Sequence, residues 1–138
     1  MENILQYGLT TFGEPLNGHI PLGETINNIN NWALAIFVSP SIFYASKYSD
    51  ILNSDNEDWY IIIEGRVKPG EFSSYKSTLI NYQYKKGEPE NVEYRIESEK
   101  IEGTFHYSID YKKIQTCALL FIKKTYLDNI ENYNDFSI

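Results

Sequence analysis

Segments rich in β-branched and aromatic residues dominate this chain, and they constrain its fold more than any other feature. Six stretches have the composition and length typical of strands. They lie at 4–11, 32–38, 58–68, 91–98, 104–111 and 116–124. The run "DWYIIIEGRVK" at 58–68 has the most marked strand pattern, and it ends at a Pro-Gly turn. So many strands leave little room for helix.

Helical patterns occur in two stretches. In "SPSIFYASKYSDIL" (39–52), Ser39 can cap a helix and Pro40 suits the first helical position. Ile42, Ala45 and Tyr48 then repeat at helical spacing. The stretch "GETINNINNW" is a weaker helix candidate, and the tail from about residue 129 is predicted to fray.

These patterns predict an α+β fold with a mostly antiparallel, split sheet and few short helices. The length of 138 residues predicts a single domain, 1–138. Alternation in "NVEYRIES" puts Glu93, Arg95 and Glu97 on the polar face of their strand, where solvated charges are also expected.

Composition excludes several functions. The net charge of −7 opposes the approach of phosphate backbones, so bulk nucleic-acid binding is not expected. The single cysteine, Cys117, excludes an internal disulfide, and its apolar surroundings "TCALLFI" predict a buried core residue. His19 and His106 have no third ligand at a recognisable spacing, so no metal is expected. With no signal-peptide pattern and no apolar run of bilayer length, a cytoplasmic protein without a membrane partner is the expectation.

The order of four segments resembles the ADP-ribosyltransferase fold, in its poly(ADP-ribose) polymerase-like branch. The segments are "AIFVS", "SIFYASKY", "WYIIIEGRVKPGEF" and "NVEYRI". They resemble that branch's aromatic strand, its short helix ending in Tyr, its apolar strand and its Glu-Tyr strand. The resemblance implies that NAD is the substrate, that nicotinamide is released, and that ADP-ribose passes to an acceptor. The identity of the acceptor stays open, with a protein as one option.

The resemblance also implies roles for particular residues. Phe37 and Tyr48, eleven positions apart, correspond to the two rings that sandwich nicotinamide. Glu93 corresponds to the catalytic glutamate, which stabilises the positive charge that develops on ribose as nicotinamide leaves. The resemblance therefore implies that Tyr48 and Glu93 are the two catalytic residues.

The resemblance implies further NAD contacts, although this sequence departs from the family pattern at some of them. In "QYGLT", Tyr7 stands where the family has His, and Gly8 matches the Gly that holds the carboxamide. Ala45 stands in the place of a Ser, and Ser41, with Ser46, is the substitute.

Two alternatives to an active transferase remain open. The same fold could have lost its chemistry and bind a nucleotide or a protein partner, as Tyr7 and Ala45 suggest. The chain could also be an unrelated β-rich interaction domain with an apolar binding surface.

Overall fold

Short strands outnumber helices in the computed structural model, which describes residues 10–11, 23–97, 99–100, 107–108 and 113–132. The strands of these residues are β1 (Thr10–Thr11), β2 (Ala35–Val38), β3 (Ile51–Ser54), β4 (Glu57–Val67), β5 (Ser73–Tyr75), β6 (Glu93–Glu97), β7 (Glu99–Lys100), β8 (Tyr107–Ser108) and β9 (Ile114–Lys123). The helices of the same residues are α1 (Ile42–Ser46) and α2 (Lys124–Asn132). The predicted α+β class with few short helices is confirmed.

The described strands form three sheets of three strands each. Their strand orders are β1-β8-β7, β2-β6-β5 and β3-β4-β9. Strand β8 pairs with β1 and β7 in antiparallel register, and β3 pairs with β4 in the same way. The predicted preference for antiparallel strands is therefore confirmed.

The chain divides into two compact units. The first contains the described residues of Met1–Phe37, Val67–Ser73 and Arg95–Gln115. The second contains those of Val38–Arg66, Ser74–Tyr94 and Thr116–Ile138. The expectation that 1–138 is one domain stays a prediction.

A tight hairpin joins β3 to β4 and replaces the second half of the predicted helix at 39–52. Its two turn residues, Asp55 and Asn56, have φ angles of 53° and 62°. Asp and Asn tolerate this left-handed conformation, which two-residue hairpins of the I′ type require. Leu52 pairs with Trp59 across the hairpin, so the apolar residues at 51–52 gain more from β4 than from a longer helix. The helix prediction is wrong beyond Ser46.

The core of the second unit lies on one face of the β3-β4-β9 sheet. Tyr60 and Ile62 alternate along β4 and pack with Leu127 of α2. Phe43, Leu120 and Ile122 complete this core. Helix α2 was not predicted, because residues from 129 onward were assigned to a frayed tail, yet it continues to Asn132. Burial of Leu127 and a 2.9 Å hydrogen bond from the Tyr60 hydroxyl to Asp128 Oδ1 hold it.

The first unit contains an asparagine-rich turn where the sequence predicted a short helix. Ile26 and Ile29 exchange two backbone hydrogen bonds of 3.2 and 2.9 Å. Asn27 and Asn28 between them have φ angles of 52° and 63°, which a helix cannot contain. The neighbouring Trp32 is buried, and the Arg95 guanidinium lies 5.3 Å from its ring centre.

Most predicted strands are present but with other limits. β4 and β9 match 58–68 and 116–124 closely, while β6 and β2 are shorter than 91–98 and 32–38. Of the predicted strands 4–11 and 104–111, only 10–11 and 107–108 are described. Cys117 is exposed, so the prediction of a buried cysteine is wrong: it lies on the face of β9 opposite the core.

Among the described helices, none has the length and apolar character needed to cross a bilayer.

We expect Leu127→Ala to lower the free energy of unfolding by about 2 to 5 kcal/mol, because it leaves a cavity between α2 and β4. The neighbouring Tyr126 is 62% exposed, so Tyr126→Ala is the matched control, with an expected change of about 0.5 kcal/mol or less. Urea unfolding measures both. Equal losses for the two variants would contradict the packing of α2 described above.

Candidate functional site

Five side chains of the second unit meet in one polar cluster. We call this group the tyrosine–glutamate cluster, and its members are Tyr44, Tyr48, Ser77, Thr78 and Glu93. They come from α1, from the turn after it, from the segment after β5, and from the first residue of β6. The cluster therefore joins three separate stretches of chain.

Local capping fixes the orientation of α1. Ser41, not Ser39, is the N-cap: its backbone is extended (φ −109°, ψ 120°), and its hydroxyl oxygen accepts a 3.3 Å hydrogen bond from the Tyr44 N–H. The Ser39 hydroxyl oxygen in turn accepts from the Ser41 N–H at 3.0 Å. Pro40 between them cannot donate a backbone hydrogen bond, and the helix begins only after the cap.

One helical turn separates Tyr44 from Tyr48, so the two phenols lie side by side. Their ring centres are 5.6 Å apart, and their hydroxyl oxygens are 3.3 Å apart. Tyr48 lies just beyond α1, where its N–H donates to the Ala45 carbonyl at 3.1 Å. Tyr44 is buried, whereas Tyr48 is 45% exposed.

Glu93 is buried, with only 3% of the residue exposed. Its Oε1 accepts three hydrogen bonds, from the Tyr44 hydroxyl, from the Thr78 N–H at 3.1 Å and from the Thr78 hydroxyl at 2.7 Å. The interpretation of Glu93 as a solvated charge is therefore wrong. Along the polar face of β6, Glu93 and Arg95 are buried, and only Glu97 at the end of the strand is exposed.

The second carboxyl oxygen of Glu93 differs from the first. Oε2 is inaccessible to solvent and has no hydrogen-bond partner within the described part of the chain. A buried polar atom without a partner costs about 1 to 3 kcal/mol, and more when the group is charged. A new hydrogen bond to Oε2 would therefore stabilise the cluster more than one to any other of its atoms.

The phenols of the cluster are donors. Burial, assisted by the hydrogen bond to Glu93, raises the pKa of Tyr44 far above its ordinary value. Burial also raises the pKa of Tyr48, and the hydrogen bond with Tyr44 opposes the rise. Since the one proton of Tyr44 is donated to Glu93, its oxygen is left to accept from Tyr48 and from the Ser77 hydroxyl at 3.1 Å. The hydrogen bonds thus form a chain that ends at the carboxyl group.

An aromatic segment packs against the cluster. The Tyr82 ring meets Tyr44 edge-on, with centres 4.8 Å apart, and Tyr84 meets Tyr82 in the same way at 5.1 Å. The Tyr82 hydroxyl donates to Glu88, and the Tyr84 hydroxyl oxygen accepts from the Ser77 N–H at 2.9 Å. These contacts hold the segment after β5 in place, and with it Thr78.

Only some of the predicted site residues lie in the cluster. Tyr48 and Glu93 lie in the cluster. Phe37 belongs to the first unit, where its ring packs 5.4 Å from Trp32, and Ser41 serves as the helix cap. Tyr7 and Gly8 lie outside the described residues.

Sequence reasoning assigned no role to Tyr44, Ser77 or Thr78. The spacing of four residues between Tyr44 and Tyr48, which puts two helical side chains on one face, could have indicated Tyr44. No local pattern in "YKSTLI" indicates that Thr78 binds Glu93. Among the described residues, no group of three or more His, Cys, Asp or Glu side chains could hold a metal ion.

Comparison with protein-family models, with curated proteins and with solved structures gives no match for this chain.

We expect Thr78→Val to lower the free energy of unfolding by about 1 to 3 kcal/mol, because it removes a hydroxyl donor from a buried carboxyl group. Thr78→Ser keeps the donor and should recover most of this loss. Thr25 offers a matched control, since its hydroxyl bonds Asn30 on the surface, and Thr25→Val should change stability by about 0.5 kcal/mol or less. Urea unfolding would contradict the geometry if Thr78→Ser and Thr78→Val were equally destabilising.

Proposed function

We propose that the tyrosine–glutamate cluster binds the nicotinamide riboside part of NAD and that the protein transfers ADP-ribose to an acceptor. One observation gives this proposal its strongest support. Tyr48 and Glu93, which the resemblance assigns to one NAD site, belong to the same hydrogen-bonded cluster although they are far apart in the chain. The proposal identifies the activity as that of an NAD-dependent mono-ADP-ribosyltransferase.

Tyr48 would contribute its ring. It is the more exposed of the two cluster phenols, and its hydroxyl is oriented by Tyr44. A positively charged nicotinamide ring stacked on a tyrosine face gains about 0.5 to 2 kcal/mol. The proposal keeps Ser41, which lies in the second unit, as a further NAD contact. The roles of Phe37, Tyr7 and Gly8 stay predictions of the resemblance. The Ser41 hydroxyl oxygen already accepts from Tyr44, which leaves its proton and its second lone pair for a ligand.

Glu93 would contribute Oε2, which has no partner among the described residues. With Oε1 fixed by Thr78 and Tyr44, Oε2 could accept a hydrogen bond from a ribose hydroxyl. The bond between the ribose C1′ and the nicotinamide nitrogen breaks, and its electron pair leaves with neutral nicotinamide. The positive charge left on the ribose is stabilised by the carboxylate. A nucleophile of the acceptor then bonds to C1′ and loses its proton.

The acceptor is left open. A protein side chain agrees best with the net charge of −7, which opposes bulk nucleic acid. A cytoplasmic location is part of the proposal, since a single cysteine suits a reducing compartment.

The burial of Glu93 favours a second candidate function, a module of the same kind that binds a nucleotide or a protein partner without chemistry. Neither the 3% exposure of the residue nor the inaccessible Oε2 suits direct contact with a reacting ribose unless the cluster opens. Tyr48 would still offer a ring to a ligand in this case.

We expect the purified protein to release nicotinamide from NAD and Glu93→Gln to slow this release by about 100- to 1,000-fold, the cost of losing one preorganised electrostatic partner. Chromatography of the released nicotinamide measures the rate. Glu97→Gln is the control, because Glu97 lies on the same strand with a side chain 79% exposed. Binding of NAD by calorimetry without nicotinamide release would favour the binding module instead.

We expect Tyr48→Ala to weaken NAD binding about 2- to 30-fold, the equivalent of the stacking energy. Tyr126→Ala, which removes an exposed ring of α2, should leave the dissociation constant unchanged. Calorimetric titration of both variants separates these outcomes. If Tyr48→Ala binds NAD as the unchanged protein does, the cluster is not the NAD site.

A further inference from the structure

The β3-β4-β9 sheet has a second face, opposite the core of the second unit. Tyr60 and Ile62 point to the core, so Trp59, Ile61 and Ile63 point the other way. Leu52 lies opposite Trp59 in the antiparallel register and shares its face.

Strand β9 extends the same face. Lys123 bonds Glu57 at 2.9 Å and lies 5.5 Å from the centre of the Trp59 ring, so these three side chains share one side of the sheet. Leu120 and Ile122 pack on the core, which by alternation leaves Leu119, Phe121 and Cys117 on the side of Lys123.

The apolar side chains of this second face form what we call the outer sheet face. Its members are Leu52, Trp59, Ile61, Ile63, Cys117, Leu119 and Phe121. Phe121 is 50% exposed and Leu52 40%, and the other large side chains of the face are only partly buried. Contiguous exposed apolar surface of this kind marks interaction sites in proteins.

The charge at one end of the outer sheet face is negative. The hairpin that joins β3 and β4 exposes Asp55 and Glu57, and Lys123 pairs with Glu57. Asp58 is on the core side of the sheet, where it accepts a hydrogen bond from Asn53. The carboxylate of Asp55 at the turn thus remains in excess, in a chain whose net charge is −7. A positively charged group on a partner would be attracted to this end.

The size of the face indicates what could cover it. Strands β4 and β9 each contribute about seven residues and the shorter β3 contributes four, at a spacing of about 4.8 Å. The face is therefore roughly 14 Å wide and 20 Å long, with an area on the order of 250 Å². A stable dimer buries about 800 Å² on each partner, and two copies would each bring a net charge of −7. One α-helix with its side chains is about 10–12 Å wide, and about 14 residues span 20 Å. A single helix therefore fits better than a second copy.

We propose that the outer sheet face docks an amphipathic helix of another protein. The apolar stripe of the helix packs on Trp59, Leu119 and Phe121, and basic residues at one end lie over the acidic hairpin. This surface is separate from the tyrosine–glutamate cluster and does not depend on the proposed reaction with NAD.

The test uses the full chain and a synthetic fluorescent peptide of about 16 residues with leucines at helical spacing and lysines at one end. Fluorescence anisotropy should show saturable binding, and NMR shift changes of the protein should lie on β4 and β9. Phe121→Asp should weaken binding at least tenfold, whereas Ile80→Asp, at a 90% exposed loop position, should change it less than twofold. Leu52→Gln is a second variant of the face, and circular dichroism checks that each variant is folded.

Several results would overturn the proposal. A peptide of the same composition in scrambled order should not bind, and one with glutamates in place of the lysines should bind at least fivefold more weakly. Equal binding of either peptide contradicts the inferred helix or its charge. Analytical ultracentrifugation that shows a dimer lost in Phe121→Asp would assign the face to a second copy. Sedimentation with phosphatidylcholine vesicles, lost in the same variant, would assign it to lipid.

Discussion

The burial of the Glu93 carboxyl group is the constraint on which the second unit depends. An acid removed from water must find hydrogen-bond donors, and Oε1 finds three, two from Thr78 and one from Tyr44. These donors come from two different segments, so satisfying one carboxyl oxygen ties α1 and the segment after β5 to the start of β6. The position of Tyr48 follows, because its hydroxyl reaches the same cluster through Tyr44.

The strand pattern of the sequence predicted much of the sheet structure, because β4 and β9 carry enough β-branched and apolar residues to identify them locally. The pattern failed where pairing with another strand decides the conformation of a segment. Leu52 lies four residues after Tyr48, at helical spacing, and is in a strand because it meets Trp59 across a turn made by Asp55 and Asn56. Helix α2 was missed for a related reason, since its stability comes from Leu127 packing on β4.

Part of the cluster follows from the sequence. The order and spacing of short segments named Tyr48 and Glu93 together, and both lie in one hydrogen-bonded cluster, while their role with NAD stays a prediction. Their partners could not be identified, because Thr78 donates from a stretch without a strand or helix pattern. The alternation of polar and apolar residues along β6 also predicted, wrongly, that Glu93 is exposed to solvent. A polar face indicates solvent only if nothing packs on it, and the sequence of one strand does not contain that information.

Two features of the second unit are unusual for a folded protein. One is a buried carboxyl oxygen without a partner among the described residues, and the other is an apolar sheet face partly exposed to water. The first lowers stability, the second contributes less than full burial would, and neither is needed to form the core of Tyr60, Ile62 and Leu127. Departures of this kind persist where function requires them. Within the described residues, Oε2 has no donor and the outer sheet face is partly exposed, so the two proposals concern chemically different ligands. A small polar molecule at the cluster and a helix on the sheet, as proposed, would bind the same unit without competing.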